Sequence, residues 1–68
     1  MSDHVYRITE VVGSSTDSVQ AAIDAGLARV TRTVRNVEWF EATQIRGGIH
    51  EGVISYQVIL KVGFRLEG

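Results

Sequence analysis

Two side chains in the second half of the sequence combine chemistry suited to an aromatic ligand. Trp39 and Gln57 both fall on strand-like segments, and the alternation of each segment puts both on the same face of a sheet, where we expect them to lie beside each other on neighbouring strands. An indole offers a flat π surface for a planar ring, worth about 1 to 3 kcal/mol for a nucleobase. A glutamine amide can donate and accept hydrogen bonds at the edge of such a ring. The pair predicts a heteroaromatic site; the alternative is an interface tryptophan with a glutamine beside it.

The other candidate ligand-binding residues give weaker indications of function than Trp39 and Gln57. Arg46 is followed by Gly47 and Gly48 and could bind a phosphate through its guanidinium, or simply end a strand in solvent. His4 and His50 lack the spacing of paired ligands on a helix or hairpin, so no metal site is expected. No Ser-His-Asp, Cys-His or paired-carboxylate arrangement can be assembled. We therefore expect a binding protein and not an enzyme.

A helix is predicted in the first half of the chain. It should begin within one turn of Ser15, because Asp17 with Gln20, or Ser15 with Ser18, has capping-box spacing. Its apolar residues follow helical periodicity over about five turns: Val19, Ala22, Ile23, Gly26, Leu27, Val30, Val34 and Val37. Gly26 lies within this stripe, which predicts a close approach of the helix to the sheet beneath it.

Three other segments are typical of strands. The first covers residues 4–12 and is predicted to end at Gly13. The second covers residues 38–46. The third covers residues 53–66, where seven consecutive even-numbered positions are apolar, so the even face should lie under the helix. A hairpin is predicted between the last two strands, at Gly47–Gly48 and Glu51–Gly52.

This order of elements predicts an α+β fold with a β-α-β-β subunit. The helix favours parallel placement of its flanking strands, whereas the hairpin makes the last two antiparallel. Both hold if the third strand lies centrally, which gives a three-stranded antiparallel sheet of order 1-3-2 with one helix on one face. The opposite face should expose apolar side chains through which chains associate: Val5, Val11, Trp39, Ile45, Val53 and Ile59.

Length and composition limit the class of protein. The chain has 68 residues, no cysteine, and a net charge of -1 from seven basic and eight acidic residues. A chain this short buries only about 60% of its unfolded surface, and without disulfides or thiolate zinc sites we expect oligomerisation. The charge argues against nucleic acid as a partner. With neither a leader nor a membrane-spanning segment in the sequence, we expect a cytoplasmic protein with a single domain, residues 1–68.

Three stretches together resemble the dodecin family of small flavin-binding proteins: VGSSTDSVQAAIDAGLARV, VEWFEATQIRGGI and YQVILKVGFRLE. The likeness extends from Val5 to Glu67. It implies assembly of the subunit into a hollow dodecamer of tetrahedral symmetry. It also implies flavins bound in pairs near two-fold axes, between the indoles of neighbouring subunits.

The resemblance assigns roles to individual residues. Trp39 matches the family's stacking tryptophan, and Gln57 matches the glutamine that hydrogen-bonds the flavin ring. Glu38 stands where the family has an acidic residue near the ribityl chain. Arg46 matches an arginine near the ligand. Strict alternation along the strand, however, puts Glu38 and Arg46 on the face opposite Trp39.

The resemblance also implies residues that bind phosphate groups. Arg65 and three arginines of the predicted helix match positions where some members hold phosphates, including those of coenzyme A: Arg29, Arg32 and Arg35. For the three helix residues, a favourable interaction with the helix dipole is the alternative. His4 stands where some bacterial members have lysine. From the arginines, the resemblance implies coenzyme A as an additional ligand.

The function implied is storage or buffering of FMN, or of riboflavin or FAD, with quenching of flavin photochemistry by stacking on tryptophan. A flavin-dependent reductase is one alternative. An oligomeric scaffold without a ligand, in which Trp39 only packs an interface, is the other.

Overall fold

The computed structural model describes residues 3–67, and its elements follow in the order β-α-β-β. β1 covers Tyr6–Ser15, α1 covers Val19–Thr31, β2 covers Val37–His50 and β3 covers Val53–Arg65. The strands form one antiparallel sheet in the order β1-β3-β2, and α1 packs on one of its faces. The predicted α+β architecture and strand order are confirmed. The face opposite α1 is called the open face below.

The core lies between α1 and the central strand. Ala22 and Val30 of the helix are buried against Val58, Leu60 and Val62 of β3. These β3 residues are all even-numbered, so the predicted alternation of this strand is confirmed. β3 supplies most of the core because it is paired along both edges and lies directly beneath the helix.

The helix and sheet come closest at two glycines. A Cβ placed on Gly26 would lie 3.3 Å from the Gly13 Cα, and one placed on Gly13 would overlap the carbonyl oxygen of Ala22. The close approach predicted for Gly26 is confirmed. The first strand was predicted to end at Gly13, and this is wrong. Gly13 lies inside β1, where the helix backbone rests on the sheet.

The helix begins where predicted but with a different cap. Ser18 is the N-cap, and its hydroxyl accepts a hydrogen bond of 2.9 Å from the Ala21 amide. The Ser15 hydroxyl instead accepts a hydrogen bond from the Asp17 amide in the preceding turn. Neither predicted capping pair therefore starts the helix.

The helix is shorter than the predicted five turns. It ends at Thr31 with Arg32 as the C-cap, so Arg35 and Val37 lie beyond it. Asn36 has a left-handed conformation with φ of 65°, which redirects the chain into β2. Val34 continues the apolar stripe by packing against the core from outside the helix.

The hairpin between β2 and β3 is tighter than predicted. Gly47 and Gly48 are not part of the turn, because they pair with Tyr56 and Ser55 inside the β2–β3 ladder. The turn consists of Glu51 and Gly52 alone, with φ of 51° and 81°. Positive φ at both central residues is the requirement of a type I′ turn.

β2 contains two irregularities in its pairing with β3. The register shifts between Val37 and Trp39 and again between Ala42 and Gln44, which leaves Glu38 and Thr43 as the extra residues of two β-bulges. The Thr43 hydroxyl donates a hydrogen bond of 3.3 Å to the Ile59 carbonyl. Each extra residue reverses the alternation, so side chains beyond Thr43 point to the face opposite the one predicted.

The open face differs in composition from the prediction. Val11 lies on the helix side opposite Leu60, and Ile45 lies there opposite Val58, so both assignments were wrong. Ile8 and Val12 of β1 lie on the open face instead, because β1 presents its even positions to that side. The predicted Trp39, Val53 and Ile59 do lie on the open face. Val5 precedes β1.

The molecule is elongated, with extents of 55 × 20 × 14 Å. A 13-residue helix is about 20 Å long, so much of the β2–β3 hairpin extends past it. Residues 45–57 are called the hairpin arm below, and Tyr56 within it still packs against the core. The helix side of this arm exposes Ile45, Ile49 and Ile54. The helix, within the described residues, is neither long nor apolar enough to cross a membrane.

Candidate functional site

Trp39 lies at one end of the open face, directly over the central strand. Its register partner is Gly63 of β3, and a Cβ placed on Gly63 would overlap the indole atoms Cε2 and Cζ2. The indole therefore rests against the bare backbone of β3. Trp39 remains 39% exposed, so a substantial part of the ring stays accessible. The placement expected for a stacking residue is present in the single chain.

Glu38, the extra residue of the first bulge, is held beside this indole by two neighbours. The Tyr6 hydroxyl donates a hydrogen bond of 2.9 Å to Glu38 Oε1, and Arg65 Nη1 lies 3.6 Å from Glu38 Oε2. Tyr6 and Arg65 are themselves paired across β1 and β3. The hydrogen bond to Glu38 is the main cause that raises the pKa of Tyr6, and the opposing charge of Arg65 acts in the other direction.

Arg46 and Gln57 lie opposite each other nearer the hairpin, and both are exposed on the open face. Regular alternation would have put Arg46 on the helix side. The bulge at Thr43 reverses the alternation, which brings Arg46 to the same face as Trp39. The conflict between alternation and the assigned role of Arg46 is thereby removed.

Trp39 and Gln57 share a face but are not neighbours, so the adjacency predicted for them is wrong. The register partner of Trp39 is Gly63, six residues from Gln57 along β3. At the rise of a β-strand, six residues correspond to about 20 Å. The error arose because alternation fixes the face of a residue but not its position along the neighbouring strand.

Charged side chains occupy the stretch of open face between these two groups. Lys61 of β3 is flanked by Glu10 on β1 and Glu41 on β2. Sequence reasoning also missed Gln44, which lies opposite Ile59 on the open face because of the Thr43 bulge. The open face is thus aromatic at one end, charged in the middle and polar near the hairpin.

The other predicted residues lie away from the centre of this face. His4 is exposed, two residues before β1. Arg29 is in the last turn of α1. Arg35 and Arg65 line one open cleft of about 370 Å³, together with Asn36 and Glu67.

Metal-ligating side chains are dispersed in this structure. Across residues 3–67, no group of three or more His, Asp or Glu side chains is close enough to hold a metal ion.

The fold and the open face together define a small α+β protein with an accessible indole on a sheet. Comparison with known proteins gives the family: the dodecin family model matches residues 5–67. Dodecin from Thermus thermophilus is 55% identical over 64 residues, which is 93% of either chain. This chain belongs to the dodecin family.

Solved dodecin structures superpose closely on this chain. Dodecin from Streptomyces coelicolor has a TM-score of 0.92 and 51% identity, covering 100% of this chain and 99% of its own. Dodecin from Streptomyces davaonensis has a TM-score of 0.92 and 43% identity, covering 98% and 100% respectively. These relatives confirm the β-α-β-β fold.

Proposed function

We propose that this protein binds FMN, or the related riboflavin or FAD, by stacking the flavin ring on Trp39. The observation that carries the proposal is the indole held over Gly63 on the open face of a dodecin-family chain. One side of the ring rests on the strand and the rest is partly exposed. A planar ligand stacked there gains about 1 to 3 kcal/mol from the aromatic contact.

The flavin site is shared between chains in this proposal. Trp39 and Gln57 are about 20 Å apart along the strand, which is farther than one flavin ring system can bridge. If both residues contact the same ring, Gln57 must come from another copy of the chain. A homo-oligomer supplies such a copy, and the family resemblance points to a dodecamer.

Assembly is supported by the shape of the subunit. The radius of gyration is 14.2 Å, whereas a compact domain of this length has about 11 Å. The hairpin arm exposes isoleucines that a second copy could cover. We propose that the arms make interchain contacts and that the oligomer is the form that binds flavin.

The proposed role is storage and buffering with suppression of flavin photochemistry. A stacked indole can transfer one electron to the excited flavin, and return of that electron restores both groups to their ground states. No substrate is consumed in this cycle. Binding without turnover distinguishes this role from a flavin-dependent reductase. We propose that the protein acts in the cytoplasm.

Phosphate groups have two candidate locations. Arg46 beside Gln57 is suited to the FMN phosphate or ribityl end, since a guanidinium binds phosphate with two parallel hydrogen bonds. Arg35 and Arg65, which line one cleft, are the candidates for coenzyme A phosphates. His4, at the same end of the sheet as Arg65, is a further candidate for a phosphate contact.

Titration of the assembled protein with FMN tests the proposal. Flavin fluorescence should be quenched on binding because the ring stacks on an indole. Unchanged flavin fluorescence, with no flavin retained after gel filtration, would favour the ligand-free scaffold. Steady oxidation of a reduced nicotinamide by the flavin-loaded protein would favour the reductase.

A further inference from the structure

We propose that Gly63 is a positioning residue for Trp39: its lack of a side chain creates the seat that holds the indole flat on the open face. The consequence for ligand binding rests on the flavin-binding function proposed above. Gly63 itself touches the indole and not the ligand.

The geometry of the contact carries the inference. The three atoms nearest to a Cβ placed on Gly63 all belong to Trp39, and Nε1 is 2.5 Å away. Cε2 is the nearest, and its two bonded neighbours, Nε1 and Cζ2, are farther. This order is expected when the added carbon enters through the face of the ring and not through its edge. Any side chain at this position would therefore occupy the space of the indole.

The strands cannot move apart to relieve such an overlap. Gly63 lies on the central strand and is paired on both sides, with Ile8 of β1 and Trp39 of β2. The backbone before Trp39 is anchored through Glu38, which contacts Tyr6 and Arg65. With both backbones held, the indole is the part that must rotate.

A core role does not account for this glycine. Gly63 points to the open face, where no helix packs, and a glycine inside a strand weakens it. The other glycines with close neighbours contact mainly backbone or the core: Gly13, Gly26 and Gly47. Gly63 is different because its neighbour is the one tryptophan of the sequence.

Gly63→Ala tests the inference in the assembled protein. Because Trp39 is the only tryptophan, its fluorescence emission and anisotropy under selective tryptophan excitation report on this ring alone. We expect these signals to change in flavin-free protein. FMN affinity should fall by about 10-fold, as expected when one stacking partner is lost. Far-ultraviolet circular dichroism and oligomeric mass should stay as in the parent.

Gly48→Ala is the matched control on the same face. A Cβ there would lie 3.7 Å from the Ser55 hydroxyl, an ordinary contact, so the Trp39 signals and FMN affinity should not change. In a Trp39→Ala background, Gly63→Ala should cause no further loss of affinity, since the two act through one contact.

Three outcomes would overturn the inference. They are unchanged Trp39 signals in Gly63→Ala, an added loss of affinity in the Trp39→Ala background, and misfolding of Gly63→Ala that Trp39→Ala does not rescue. The rescue is expected because removing the ring removes the overlap. A parent protein that fails to bind FMN would contradict the proposed function, while the flavin-free Trp39 signals would still decide the role of Gly63.

Discussion

Trp39 rests on one residue and follows another that is itself held in place by two side chains. Gly63 lies under the ring, Glu38 precedes it in a bulge, and Tyr6 with Arg65 holds Glu38 in place. The sequence alone indicated Trp39 and Gln57 as ligand-binding residues from their chemistry. Gly63 could not be recognised, because its role depends on which β2 residue lies opposite.

Trp39→Ala should lower FMN affinity by about 10-fold or more, since one aromatic stacking partner contributes about 1 to 3 kcal/mol. Flavin titration measures the loss, and native mass of the same variant shows whether assembly survives. Dissociation into monomers would instead assign Trp39 to an interface.

Gln57→Leu should weaken FMN binding several-fold while leaving quenching complete at saturation. The amide can contribute hydrogen bonds worth about 0.5 to 1.5 kcal/mol each, whereas quenching depends on the indole. Fluorescence titration separates the two quantities. Parent-like affinity, or lost quenching at full occupancy, would show that this division of roles is incorrect.

Glu38→Ala should lower the pKa of Tyr6. In the folded chain, the hydrogen bond to Glu38 raises this pKa above the ordinary value for tyrosine, and Arg65 remains in the variant to favour the phenolate. Because the pKa is raised, the hydrogen bond stabilises the fold below the ordinary tyrosine pKa. That contribution is lost as the pH rises through the folded value.

Tyrosinate absorption during a pH titration measures the change in Tyr6. The sequence has two tyrosines, so Tyr6→Phe identifies which absorbance step belongs to Tyr6. A Tyr6 step at the same pH in the parent and in Glu38→Ala would contradict the contact between them.

At the scale of elements, the sequence pattern predicted the order of the strands and the packing of the helix better than the register of β2. The crossover helix and the predicted hairpin were sufficient to place the third strand centrally, and the alternation of β3 with the apolar stripe of α1 placed the helix over it. The bulge at Thr43 was not predictable, because a threonine inside a strand looks regular until its partner is known. That one residue determines the faces of Arg46 and Ile45.

Gly13→Ala should destabilise the fold more than Gly48→Ala on the open face. The added carbon would meet the helix backbone at Ala22, and neither backbone can yield without separating α1 from the sheet. Overpacking of this kind costs about 1 to 3 kcal/mol. Chemical denaturation measures the change, with Gly48→Ala as the control. Equal denaturation midpoints for the two variants would contradict this contact.

At the scale of the whole molecule, the helix side of the arm carries exposed apolar side chains. Ile49 is 76% exposed and Ile54, its register partner, is 50% exposed. Both lie on the helix side of the arm, and the rest of the described chain buries neither of them. The strand alternation predicted association through the open face, whereas these side chains lie on the face that carries the helix.

Ile49→Asp should therefore shift the protein toward smaller species, because a carboxylate would be buried without a partner in an apolar contact. Sedimentation velocity measures the distribution, and Ile49→Val is the control that keeps the site apolar. A full-size oligomer for Ile49→Asp would exclude this part of the arm from the assembly contacts.

The position of β3 between β1 and β2 determines when the sheet can form during synthesis of the chain. The ribosome makes this central strand after both strands that pair with it, and Tyr6 must wait for Arg65 before their ladder can close. Until then, β1 and β2 have no strand partner, and the helix lacks Val58, Leu60 and Val62, which form most of its core. Pairing over such separations is slow and leaves strand edges open to aggregation. The sheet is therefore expected to form only after β3 has been synthesised, so the whole chain should fold as one unit.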